Sequence, residues 1–212
     1  MGNYSVLVID FETTGLSPDY GDRAIEIGAI LIQNNHIVDR FQSLINPGMR
    51  ISSFISEYTG ITNQMLKKAP PADEVMQRFV VFMADHHLVA HNASFDRRFL
   101  DAELYRIQSS RNQEFACSML LSRRVYPEAP RHNLESLIQY RNIQTDGIFH
   151  RALADAEMTA RLWISMIDDL KERYGLGCVP FELLQKISRM KKDLVPGYLE
   201  KMAGNMQSKY IS

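Results

Sequence analysis

The sequence predicts an α/β fold in which the strands of a sheet that starts antiparallel are followed by a series of helices. Three observations carry this. Two strand-length apolar runs stand near the start, "YSVLVIDF" and "AIEIGAILIQ". A tight turn follows the second, and beyond it most of the chain reads at helical period around one short apolar run, "LVAH".

"HIVDRFQSLINP" is a third, polar-patterned strand, joined to the second through "QNNH" as a hairpin turn and ended by Pro47 and Gly48. In "TGITNQML" Thr62 is placed to cap a helix, and in "ADEVMQRFVVFMADH" Val75, Phe79, Phe82 and Met83 recur at helical spacing. After "LVAH" a helix begins near Ser94, with Phe95, Phe99 and Leu104 on its inner side and Asp96 in its first turn. "SMLLSRRVY" and "NLESLIQYR" read as two short helices separated by "PEAPRH". The last long helix, "RALADAEMTARLWISMIDDLKERY", lines up Ala152, Ala156, Ala160, Trp163, Ile164 and Ile167 and stops at Gly175 and Gly177.

Two units are expected, a main domain over 1–175 and a short helical appendage over 176–212. The appendage reads as short amphipathic pieces broken by Pro180, Pro196 and Gly197. Its six basic residues, Lys186, Arg189, Lys191, Lys192, Lys201 and Lys209, face three acids, Glu182, Asp193 and Glu200. Such a balance suits a solvated helical face, and also a contact with nucleic acid or a partner.

Composition narrows the classes. With 212 residues and 45% hydrophobic content the chain can bury a sizeable core, and a net charge of -1 gives no whole-molecule attraction to polyanions. Cys117 and Cys178 make neither a disulfide framework nor a metal cluster, no signal-peptide pattern opens the chain, and its apolar runs are too short to span a bilayer. The expectation is a cytoplasmic protein with no membrane association.

Four acids then need a common explanation. Asp10 and Glu12 share a face at the tip of a core strand, where like charges repel unless a cation lies between them. Asp155 lies beside the alanine stripe of the last helix, where an acid needs a partner. Asp96 opens its helix, a place where an acid also serves the helix dipole. Mg²⁺ or Mn²⁺ suits such a set, because these ions prefer hard oxygen ligands and retain waters. Four carboxylates can hold two ions roughly 3.5 to 4 Å apart, the arrangement that hydrolyses phosphodiesters. His150, five residues before Asp155, supplies a group that can accept a proton near neutral pH.

"VIDFETTGL", "HNASFDRRFL" and "HRALADAEMTARL" resemble, in order and spacing, the three motifs of the DEDDh exonuclease family, which includes the proofreading epsilon subunit of bacterial DNA polymerase III. In the tyrosine branch of that superfamily the aromatic base lies four residues before the last aspartate. Arg151 stands there in this chain, so His150 selects the histidine branch. The resemblance covers roughly residues 4 to 170 and implies an RNase H-like exonuclease fold, a mixed central sheet flanked by helices. By the same resemblance Asp10, Glu12 and Asp155 would hold one metal ion, Asp10 and Asp96 the second, and His150 would deprotonate water. Thr13, Thr14 and Leu16 would approach the 3′-terminal nucleotide, and His91, Asn92 and Phe95 would lie on the substrate side. Core packing is an equal alternative for Leu16 and Phe95. The implied activity is release of nucleoside 5′-monophosphates from a single-stranded or frayed DNA 3′ end, in proofreading or repair, with a DNA polymerase subunit as candidate partner. An exoribonuclease and a noncatalytic polymerase-associated subunit stay open, as does the oligomeric state.

Overall fold

The computed structural model describes residues 5–145 and 150–208; Lys209 and residues 146–149, which lead into His150, lie outside the described residues. Strands β1 (Ser5–Thr13), β2 (Ala24–Gln33) and β3 (His36–Leu44) come first, followed by helices α1 (Ser53–Thr59), α2 (Asn63–Lys68) and α3 (Ala72–Met83). Strand β4 (His87–Ala90), helix α4 (Ser94–Arg106), strand β5 (Phe115–Cys117) and helices α5 (Ser118–Val125) and α6 (Leu134–Tyr140) complete the middle. The chain then forms α7 (Ala152–Tyr174), α8 (Phe181–Arg189) and α9 (Val195–Ser208).

The sheet runs β3-β2-β1-β4-β5. The first three strands pair antiparallel, and β4 and β5 pair parallel beyond β1. This is the mixed, helix-flanked sheet of an RNase H-like fold. Asn34 and Asn35 both adopt left-handed backbone in the two-residue hairpin between β2 and β3, a conformation that asparagine tolerates. Thr62 caps α2 as expected, its hydroxyl accepting from the Met65 amide.

Strand β1 is sorted by alternation. Leu7, Ile9 and Phe11 face a cluster with Val75, Phe79 and Phe99 of α3 and α4, whereas Val6 and Val8 face Ala156, Ala160 and Trp163 of α7. Asp10 and Glu12 continue the Val6–Val8 row, so the core strand itself aims two carboxylates at the start of α7. Phe82 and Ile164, read as buried from periodicity, are half-buried at the margins of these clusters.

Two elements escape the sequence reading. Strand β5 is three residues long, too short for a period, and α1 leaves Phe54 and Tyr58 exposed instead of burying an apolar stripe. Pro196 and Gly197, expected as breaks, instead lie in the first turn of α9, where proline needs no intrahelical N–H partner. Phe181, Leu184, Ile187 and Leu199 of the last two helices join the same apolar cluster as Trp163. Among the described residues no helix is long and apolar enough to cross a membrane.

Candidate active site

The end of β1 and the first turns of α7 bring Asp10, Glu12 and Asp155 together, with one carboxylate oxygen of each within 4.8 Å of the others. Asp96 arrives from the first turn of α4. Strand β4 pairs with β1 only as far as Val8, so the far end of β1 has no ladder on that side. The Asp96 carboxylate fills the gap, accepting the Phe11 amide at 3.2 Å. This single bond ties the fourth acid to the backbone between the first two.

Electrostatics show the cost of this gathering. Burial, then the fields of Asp96, Asp155, Glu12 and Glu26, hold Asp10 well above the usual carboxylate range. Glu12 is pushed up to about 8, by burial first and then by Asp155, Glu26 and Asp96. Burial raises Asp96 to about 7 against the Phe11 hydrogen bond, and Asp155 to about 6 against the pull of His150. A cation removes the conflict. The donors are all hard oxygens with no thiolate among them, a set that fits Mg²⁺ or Mn²⁺.

His150 takes left-handed backbone, and its amide donates to Asp155 Oδ2 at 2.9 Å. Its ring packs on Tyr58, centroids 4.0 Å apart, and Tyr58 stacks in turn on Phe54 at 6.0 Å. Burial and the fields of Glu12, Asp155 and Asp10 raise the Tyr58 phenol above its ordinary value, which places it beside the acids.

The next residue is anchored firmly. Arg151 donates to both oxygens of Glu26, at 2.8 and 3.1 Å, and the Ala152 amide adds a third bond at 3.1 Å. Glu26 is fully buried on β2 and also accepts from Gln42. The register sets Glu26 opposite Glu12 and Gly28 opposite Asp10. A Cβ at residue 28 would stand 2.2 Å from the Ala152 carbonyl carbon, so only glycine lets α7 approach the sheet this closely.

The remaining site residues expected from the sequence divide into two groups. Thr13 and Thr14 turn their hydroxyls inward, to the Gly15 carbonyl at 2.6 Å and the Asp22 carboxylate at 3.1 Å, leaving Leu16 exposed at the tip. Asp22 occupies the space that a side chain on Gly15 would take. His91 is bonded at both ring nitrogens, to Ser118 Oγ and the His132 carbonyl, and burial pulls it down to about 4. Asn92 is exposed with left-handed backbone, and Phe95 is half-buried against Phe99. Sequence reasoning missed Glu26, Gly28 and Tyr58. The signal for Glu26 was available: an acid inside "AIEIGAILIQ" poses the same problem as Asp10.

The RNase_T exonuclease model matches residues 7–163. A DNA polymerase III of PolC type from Caldanaerobacter subterraneus subsp. tengcongensis is 39% identical over 166 residues, which are 78% of this chain. The chain spans only 12% of the length of that polymerase. A DNA polymerase III subunit epsilon from Aquifex aeolicus is 33% identical over 173 residues, 81% of this chain and 84% of that one. Among solved structures, exonuclease X in complex with 5′ overhanging duplex DNA superposes with a TM-score of 0.67 at 28% identity, covering 86% of this chain and 99% of that one.

Proposed function

The chain belongs to the RNase_T exonuclease family, and from that premise we propose that it is a two-metal 3′-to-5′ exonuclease of the DEDDh type acting on single-stranded or frayed DNA ends. The observation that carries the reading is the convergence of Asp10, Glu12 and Asp155 within 4.8 Å, with His150 bonded to the third.

Asp10, Glu12 and Asp155 would hold the first Mg²⁺ or Mn²⁺, and Asp10 with Asp96 the second. Bound there, the ions would supply an activated water and charge stabilisation at the leaving oxygen. His150 would accept the proton of the attacking water at its imidazole, while the hydrogen bond that its backbone amide donates to Asp155 keeps base and ligand in step. Water adds to phosphorus, the bond to the preceding 3′ oxygen breaks, and a nucleoside 5′-monophosphate leaves.

The backbone of Thr13 and Thr14 would meet the terminal sugar, with Leu16 against its base. Asn92 would reach phosphate or sugar and Phe95 would flank a base, while His91, bonded at both nitrogens, would fix the turn that presents them. The exposed ring of Phe54, stacked beyond Tyr58, offers a π face to an unpaired base, which supports an unpaired end as substrate. A paired terminal base must leave its stack at a cost of a few kcal/mol, so frayed or mismatched ends would be favoured without base reading. The likeness to an epsilon subunit supports a DNA polymerase as partner.

The test is hydrolysis of 5′-labelled single-stranded DNA and RNA with Mg²⁺, Mn²⁺ or EDTA, comparing wild type with Asp10→Ala and His150→Ala. The expected result is a DNA ladder shortening from the 3′ end, abolished by EDTA and by both substitutions. Cleavage of neither polymer under either metal would sink the reading.

A further inference from the structure

Helix α7 contributes Asp155 from its first turn, and His150 stands just ahead of it. Three bonds and one close contact determine where that helix begins, and all of them come from β2. Glu26 takes Arg151 with both oxygens and receives the Ala152 amide. Gly28, two residues along the same face, lets the Ala152–Leu153 peptide lie where a side chain would otherwise be. Because Glu26 and Gly28 pair directly with Glu12 and Asp10, one stretch of β2 registers the β1 acids against the α7 acid.

We propose that Glu26 is a positioning residue of the active site, acting through Arg151 to fix the start of α7 so that Asp155 and His150 face Asp10 and Glu12. This rests on the exonuclease reading and deepens it. Glu26 need not touch substrate or metal ion. Its two oxygens are committed to four donors: Arg151 Nη2 and Gln42 Nε2 on Oε1, Arg151 Nε and the Ala152 amide on Oε2. In Glu26→Gln one oxygen becomes an NH₂ group, a donor set against donors whichever way the amide turns. Lysine in place of Arg151 keeps the charge and loses the two-pronged fit.

A matched control exists. Glu103, also buried, holds Arg23 in the same two-pronged way at 2.9 and 3.0 Å, on the α4 side of the sheet. Its loss should affect folding and not the gathering of the four acids.

The experiment measures Mn²⁺ binding by calorimetry and kcat and KM on a labelled single-stranded DNA oligonucleotide, for wild type, Glu26→Gln, Arg151→Lys, their combination, and Glu103→Gln. Glu26→Gln and Arg151→Lys are each expected to weaken Mn²⁺ binding by about 10–100-fold, with a comparable fall in kcat. KM for DNA should stay within about twofold, and the combination should be no worse than either alone, since both break one contact. Glu103→Gln should lower the melting temperature while leaving Mn²⁺ affinity and kcat within about twofold. Wild-type Mn²⁺ affinity in both test variants, or an equal loss in Glu103→Gln, would overturn the proposal and leave the exonuclease reading standing. If wild type neither binds Mn²⁺ nor cleaves DNA, the reading falls and the proposal with it. Should Glu26→Gln fail to fold, Arg151→Lys carries the test, because that side chain is 35% exposed and outside the packed core.

Discussion

The Glu103–Arg23 and Glu26–Arg151 clamps are built alike. Each pairs a glutamate at or below 1% exposure with an arginine, and each also accepts the backbone amide of the residue after that arginine, Ala24 in one and Ala152 in the other. They differ in what the clamped residue begins. Ala24 begins β2, which is laddered to β1 from Ala24 and to β3 from Glu26 onward, so the strand keeps its place if the clamp is lost. Ala152 begins α7, whose first amides have no ladder. The same interaction is therefore redundant for position in one place and decisive in the other, and its chemistry alone does not tell which.

The largest effects lie on either side of the second clamp. Asp155→Asn removes a proposed metal ligand and should lose both Mn²⁺ binding and cleavage, whereas His150→Ala should lower kcat by about 10²–10⁴-fold with Mn²⁺ affinity intact. Calorimetry and a turnover assay on the two variants separate ligand from base. If His150→Ala also loses the metal, the imidazole packed on Tyr58 serves binding as well as proton transfer, because the backbone amide bonded to Asp155 survives the substitution.

A smaller effect is expected at the contact that the first clamp lacks. Gly28→Ala would drive a methyl group into the Ala152 carbonyl and force α7 off the sheet, at about 1–3 kcal/mol of stability, with a loss of activity beyond what that destabilisation explains. Chemical denaturation beside the cleavage assay reads both. An active Gly28→Ala variant would show that α7 can begin elsewhere and still deliver Asp155.

Much of this arrangement was legible in the sequence. Asp10, Glu12 and Asp155 betrayed themselves as acids on apolar faces, and the alternation of β1 put the first two on one face of the strand; that this face looks toward α7 came only with the fold. The clamps were not legible, because pairing Glu26 with Arg151 requires knowing that residues 125 apart in sequence meet across the edge of a strand and a helix start. Tyr58 was missed for a different reason. It sits on a one-sided exposed helix, where periodicity is silent, and only proximity to His150 and the acids marks it. The inward turn of His91 was hidden as well, since its partners Ser118 and His132 come from later segments.

The smallest expected effect is on melting temperature, and it distinguishes the two clamps once more. Without divalent cations the folded chain holds protons on Glu12, Asp96 and Asp155, raised to about 8, 7 and 6, that the unfolded chain releases near pH 4. Their contribution to stability is complete below about pH 4 and is lost as pH rises through about 6 to 8. His91 works in the opposite sense: lowered to about 4, it adds stability that is lost as pH falls below about 6.5, so the clean window lies above that value. In EDTA the melting temperature should fall on the order of 5 °C between about pH 6.5 and 8.5. Millimolar Mg²⁺ should flatten the slope, since a cation bound only to the native state favours the ionised acids. Glu103→Gln should lower the whole curve without changing its slope, because neither Glu103 nor Arg23 is among the groups whose fields shift these acids. Asp155→Asn should reduce the slope, as one of the repelling charges is gone. A melting temperature that rises with pH in EDTA would mean that the acids are already compensated without a cation, and the case for a metal-dependent site would lose its electrostatic support.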